Sequence, residues 1–207
     1  MKNMDESWNE IFDQYNIDLD TIYDREVKVY PAKKDVFRIF RMPVRKIKLV
    51  ILAQDPYHSV DTADGLAFSS RNSIPPSLRN IFKELKIEFP HRNYNFEHGD
   101  LSKWVENENI FLLNCSLTVE KSNAGSDMKI WKEFTNDIIK FISENNIDCI
   151  FLLLGNFAKE KSYLIKNKNN IITAVHPSPF SANNGFFNSN VFKIVEKKLN
   201  ININWQN

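Results

Sequence analysis

Four short apolar runs constrain the fold of this chain more than any other feature. They are 48–53 (KLVILA), 110–114 (IFLLN), 149–154 (CIFLLL) and 171–175 (IITAV). Each has the length of a β-strand, and several are apolar at consecutive rather than alternate positions. That pattern suits strands covered on both faces, as in a parallel sheet.

Helical periodicity fills the intervals. Leu78, Ile81, Phe82 and Leu85 recur at helical spacing behind Pro75-Pro76-Ser77, where Ser77 is placed to cap. Trp131, Phe134, Ile138 and Phe141 form a second apolar stripe, and Asp100 is placed to cap a short helix carrying Leu101, Trp104 and Val105. Phe157, Lys161, Leu164 and Ile165 make a mixed stripe, and Trp8, Ile11 and Phe12 read as helical near the start. Alternating strands and helices predict an α/β fold: a single domain over 1–207, with a mainly parallel four-stranded central sheet flanked by helices.

In such sheets ligands bind beyond the carboxyl ends of the strands. The residues that follow the runs are Gln54-Asp55-Pro56-Tyr57-His58, Asn114, Gly155-Asn156 and His176-Pro177-Ser178-Pro179. Taken singly, Asp55 before a proline is ordinary turn chemistry, and Asn114 reads as a satisfied turn amide. At successive strand ends they are expected to converge on one edge and form a site.

Composition narrows the chemistry. With 43% hydrophobic and 26% charged residues in 207, the chain reads as globular. A net charge of +1 argues against holding nucleic acid by bulk attraction, but leaves room for hydroxyls, backbone N–H groups and a few lysines. The histidines, His58, His91, His98 and His176, lack metal-ligand spacing, and no C-x-x-C occurs. No glycine-rich phosphate loop and no G-x-S-x-G elbow is present. Neither a metal nor a cofactor is therefore expected. Cys149 reads as core, and two cysteines in a chain this long suit a reducing compartment. A Cys115–His176 nucleophile pair is the competing chemistry, although nothing marks Cys115 as activated. The start, MKNMDESWNEIF, has no apolar signal core, and no apolar run approaches ~18 residues. Neither a secretion signal nor a membrane span is expected, and the cytoplasm is the expected compartment if the chain is bacterial.

The motifs AQDPYH (53–58), GLAFS (65–69), PPSL (75–78), LLNCSLTV (112–119), FLLLG (151–155) and HPSPFSANNGFF (176–187) occur in order. With KVYPAKKDVFRIFR (28–41) before them and NINW near the end, they make the chain resemble family 1 uracil-DNA glycosylases over nearly its whole length. The resemblance implies a monomeric, metal-independent enzyme that removes uracil from DNA without cutting the strand. Asp55 would orient water and stabilise the sugar cation, and His176 would donate to uracil O2. Asn114 would read the base edge, Tyr57 would exclude the thymine methyl, and Phe68 would stack on the base, with Gln54 also in the uracil pocket. A fixed Asn114 amide is required, which implies bonds that prevent its flipping. Ser77 and Ser178 would hold phosphates, and Phe180 would be the wedge that enters the base stack.

The chain departs from the family pattern at four places: Phe180 for the usual Leu, Asn183-Asn184 for His-Arg, Ala53 for Gly, and Asn156 where Ser often follows the glycine. These departures motivate a second expectation from another class, a DNA-binding module that has lost efficient catalysis.

Overall fold

The computed structural model describes residues 4–207. In chain order its regular elements are α1 (Asn9–Phe12), α2 (Leu19–Tyr23), β1 (Val29–Tyr30), β2 (Leu49–Ala53), α3 (Pro76–Glu88), α4 (Ser102–Glu106), β3 (Ile110–Asn114), β4 (Val119–Glu120), α5 (Met128–Asn145), β5 (Ile150–Leu154), α6 (Asn156–Glu160), β6 (Ile171–Ala174) and α7 (Val191–Leu199), with short 3-10 turns between them.

All four apolar runs are strands of one parallel sheet, ordered β3–β2–β5–β6. β2, β3 and β5 are buried at every position, which is why their runs are continuously apolar. β6 lies at an edge and exposes Thr173. The β3 edge is covered differently: the Ala67 N–H donates to the Leu112 carbonyl at 3.1 Å, laying the GLAFS segment alongside it. β1 and β4 form a separate two-stranded antiparallel ladder, too short to leave a periodic signal.

α5 turns Trp131, Phe134 and Ile138 into the core, as their spacing predicts. Ser77 does not cap α3. Pro75 occupies the N-cap and Pro76 the first helical position, because proline's missing N–H costs nothing there. Asp100 serves the first turn of α4 from one position further out than a cap, accepting from the Ser102 N–H at 2.9 Å. The 157–165 stripe is split between α6 and a 3-10 turn.

Most aromatic side chains fill the core. Trp8 packs edge-on to Phe40 at 5.2 Å and stacks on Phe111 at 5.3 Å. Phe180 is the opposite case, at 96% exposure.

α3 anchors the C-terminal part of the molecule. Its buried Glu84 accepts from the N–H groups of Asn188 (2.8 Å) and Ser189 (3.0 Å), and buried Glu88 accepts from those of Phe192 (3.2 Å) and Lys193 (2.7 Å). Together they fasten the segment after β6 and neutralise the open amides at the start of α7. Burial, reinforced by the neighbouring Glu84 carboxylate, pushes Glu88 up to about 7.

Candidate active site

The parallel register places the strand ends side by side. Ala53 pairs with Asn114, and beyond them the amides of Cys115 and Ser116 donate to the carbonyls of Ala53 and Gln54, both at 2.9 Å. On the other side, the Gly155 N–H donates to the Ala174 carbonyl at 3.0 Å, so β5 and β6 end together just before His176.

Asp55 is the best-defined group. Its Oδ2 accepts from the Gly125 N–H and from Gln54 Nε2, both at 2.9 Å, while its Oδ1 is buried without a partner in the protein. Burial raises its pKa above the usual carboxylate value, and those two hydrogen bonds oppose the rise. One oxygen thus fixes the carboxylate and the other is left without a protein partner. The Gly125 loop is itself tied to the AQDPYH segment, since the Ser122 N–H donates to the His58 carbonyl at 3.0 Å.

Asn114 Oδ1 is likewise buried and unpartnered. An unsatisfied buried acceptor costs about 1–3 kcal/mol, so two at one strand edge call for an explanation in ligand binding. The bracing bonds expected for the Asn114 amide are not found: no hydrogen bond to its side chain occurs among the described residues. Its strand-end backbone fixes where the side chain leaves the sheet, but not which way the amide faces.

Phe68 is not part of a strand. It is buried in the left-handed region at φ 64°, unusual for a bulky residue. The Tyr57 hydroxyl donates to its carbonyl at 3.1 Å, and the next amide, Ser69 N–H, donates to the Leu66 carbonyl at 3.2 Å. Buried Asp64 closes the same turn, accepting from the Leu66 N–H (3.2 Å) and the Ser69 hydroxyl (2.8 Å) while paired with Arg38 at 3.0 Å. This turn sets the Phe68 ring 5.9 Å from that of His176.

His176 Nδ1 accepts the Ser178 N–H at 3.1 Å. An amide can only donate, so Nδ1 carries no proton and the neutral ring must carry its proton on Nε2. Burial lowers the pKa of this histidine, which favours that neutral form. Gly155 underlies it at φ +89°, where a Cβ would come within 2.8 Å of His176 Cβ.

The remaining predicted residues lie around this centre. Ser77 is half-buried in the first turn of α3, where open amides and the helix dipole favour an anion. The Ser181 hydroxyl donates to the His176 carbonyl at 2.8 Å, so across its 2.7 Å contact with Ser178 the proton is that of Ser178. A phosphate would draw it away from Ser181. Phe180, Asn183, Asn184 and Asn156 are exposed. Cys115 is fully buried, and burial pushes its thiol up to about 12, which excludes it as a nucleophile near neutral pH. Among the described residues no group of three His, Cys, Asp or Glu side chains is arranged to hold a metal ion.

Two contributors were not anticipated. Gly125 acts through its backbone N–H, which has no side-chain signature; a glycine at φ +80° just before a helix is its only trace. Gly155 has the sequence signature of a strand end alone, and its place beneath His176 follows from the packing of β5 against the segment after β6.

Comparison with known proteins gives one consistent picture. Residues 41–200 match the family model described as the uracil DNA glycosylase superfamily. A uracil-DNA glycosylase of Borrelia duttonii is 48% identical over 170 residues, covering 80% of this chain and 75% of the relative. One from Fusobacterium nucleatum is 40% identical over 223 aligned positions, covering 100% and 97%. Among solved structures, the mimivirus uracil-DNA glycosylase superposes with a TM-score of 0.83 at 26% identity, covering 95% of this chain and 84% of that one.

Proposed function

The chain belongs to the uracil-DNA glycosylase superfamily, and on that premise we propose that it hydrolyses the N-glycosidic bond of deoxyuridine in DNA, releasing uracil and leaving an abasic site for base excision repair. The order of its motifs supports family 1 within that superfamily. The observation that carries the site assignment is the pair of buried, unpartnered acceptors, Asp55 Oδ1 and Asn114 Oδ1, at adjoining strand ends beside the Phe68 and His176 rings.

The target nucleotide leaves the stack and its uracil enters between these groups. Asn114 Oδ1 accepts from uracil N3–H, and its Nδ2 donates to O4. Cytosine offers the reverse pattern, so with the amide held in this orientation both pairs are mismatched, at about 1–3 kcal/mol each. As the sugar–base bond breaks, its electron pair goes to the uracil and positive charge gathers on the sugar. His176 Nε2–H donates to O2 as negative charge builds there, and it does so as a neutral group. Asp55 Oδ1 faces the sugar cation and orients the water whose oxygen bonds to C1′. The raised pKa of Asp55 suits it to take the proton that this water releases. Ser77 and Ser178 hold flanking phosphates, and Phe180 enters the stack. These steps use no metal or cofactor, and no strand cleavage follows. In this reading the enzyme acts as a monomer, in the cytoplasm if the chain is bacterial. Among the described residues no helix is long and apolar enough to cross a membrane.

The direct test incubates purified protein with a uracil-containing oligonucleotide in EDTA, followed by alkali. Scission at the uracil position is expected. Its absence at every enzyme concentration, with DNA binding retained, would favour the non-catalytic binding module instead.

A second expected result isolates the floor of the site. Gly155→Ala places a methyl group 2.8 Å from His176 Cβ on a backbone with φ +89°. The ring must move, and a displacement near 1 Å lowers turnover by about 100-fold. Single-turnover release of uracil checks it; a rate within a factor of about three of wild type would show that the ring position does not matter.

A further inference from the structure

The proposed chemistry uses one N–H of the loop before α5 but leaves out what holds that loop. Gly125 lies there at φ +80° and donates to Asp55 Oδ2. Two residues on, the Asp127 carboxylate is 1% exposed. Its Oδ1 accepts from Arg25 Nη1 at 2.7 Å and its Oδ2 from the Thr118 hydroxyl, to which Trp131 Nε1 donates at 2.7 Å. The same Arg25 nitrogen reaches Glu120 Oε1 at 3.2 Å. Among the described residues no other cation pairs with Asp127 or Glu120.

Arg25 is distant in sequence. It lies between α2 and β1, and the β1–β4 ladder brings it to the loop: Val29 pairs with Glu120, and the Lys121 N–H donates to the Lys28 carbonyl at 2.8 Å. Within the loop, the Glu120 N–H donates to Ser126 Oγ at 2.8 Å and Asn123 Nδ2 to Glu120 Oε2 at 3.0 Å. Both ends of the turn that carries Gly125 thus meet on one guanidinium. Without it, Asp127 would be a buried charge lacking its counter-ion, and the turn would lose its tie.

The cation bears on Asp55 as well. Facing Asp55 are His58 on its own segment, the neutral Cys115 thiol beyond β3 and Asp127 before α5; Asp127 in turn faces Tyr23 and Arg25. Burial is the main cause of the raised pKa of Asp55, and the Asp127 charge adds to it. Arg25 offsets that charge. We propose that Arg25 is a positioning residue for the hydrolytic step: through Asp127 and Glu120 it fixes the turn whose Gly125 N–H aims the Asp55 carboxylate, without itself contacting the substrate. The proposal rests on the glycosylase reading of the site.

The test follows single-turnover uracil release against pH for the intact protein and three variants. Arg25→Gln should lower the maximal rate about tenfold at neutral pH and leave the half-saturating concentration unchanged. It frees the Asp127 charge and loosens the Gly125 N–H, and both disfavour ionised Asp55. The acid limb of the rate profile should therefore move to higher pH. One nitrogen makes both contacts, so Arg25→Lys should recover to within about threefold of the intact rate. Arg25→Gln/Asp127→Asn leaves no buried charge unpaired, which guards against misfolding. It should stay about tenfold slow, with its acid limb back below that of Arg25→Gln. A readout independent of catalysis is the Gly125 amide proton in NMR spectra. It should titrate with Asp55 in the intact protein, and at higher pH with smaller amplitude in Arg25→Gln. An acid limb and a Gly125 titration left in place in Arg25→Gln would overturn the proposal. So would a loss confined to the half-saturating concentration, or a lysine variant as slow as the glutamine one. If the intact protein releases no uracil, the activity assignment fails, while the Gly125 titration still decides whether Arg25 positions Asp55.

Discussion

Asp55→Asn is expected to lower uracil release on the order of 10³-fold while leaving DNA affinity nearly unchanged. The carboxylate accepts two hydrogen bonds on Oδ2 and holds Oδ1 in reserve. A carboxamide has a single oxygen. If that oxygen stays with Gly125 and Gln54, the NH2 group points toward the sugar, where it can neither stabilise positive charge nor accept a water proton. If the amide turns over, its NH2 group confronts two donors. Either arrangement removes the negative charge. Because burial already works against the ionised form of Asp55, the substitution should not lower the melting temperature. Single-turnover rates and anisotropy separate the two readouts. A variant that cleaves within about tenfold of wild type would remove Asp55 from the mechanism.

Tyr57→Ala is expected to admit thymine. A 5-methyl group is refused by a ring packed where it would sit, and removing that ring opens the space. Tyr57 also braces Phe68 through its hydroxyl, so uracil release should fall by about tenfold in the same variant. Tyr57→Phe separates the two effects: it keeps the ring and should still refuse thymine, while losing only the brace. Assays with oligonucleotides carrying thymine opposite guanine check both. Continued rejection of thymine by the alanine variant would place the steric barrier elsewhere.

The sheet was legible because burial on both faces leaves no choice of residue at β2, β3 and β5. Strand ends were legible because a parallel sheet gathers them at one edge, so Asp55, Asn114 and His176 could be picked out by order alone. Their roles came from the family resemblance. Backbone devices were not legible. The turn holding Phe68 is imposed by the Tyr57 hydroxyl donating to its carbonyl and by Asp64 accepting from the Leu66 N–H and the Ser69 hydroxyl, against the intrinsic preference of phenylalanine. A serine before an apolar stripe is the usual cap signal, but at Ser77 the prolines before it set the helix boundary. The N–H of Gly125 and the space above Gly155 are properties of main chain and emptiness, and neither is spelled by a side chain.

The tip of the segment after β6 has a thermodynamic consequence. Phe180 stands almost wholly in water although burying a phenylalanine contributes about 1.5–3 kcal/mol. The segment is fastened at both ends, to α3 through Asn80 at Pro177 and through Glu84 at Asn188 and Ser189. With Phe180 as the proposed wedge, the free protein holds that ring in water on a segment whose ends are already fixed. On entering a base stack the ring would give up its unfavourable hydration while the segment would have little backbone entropy left to lose. Part of the work of parting the bases would then be done when the chain folds, before any DNA arrives.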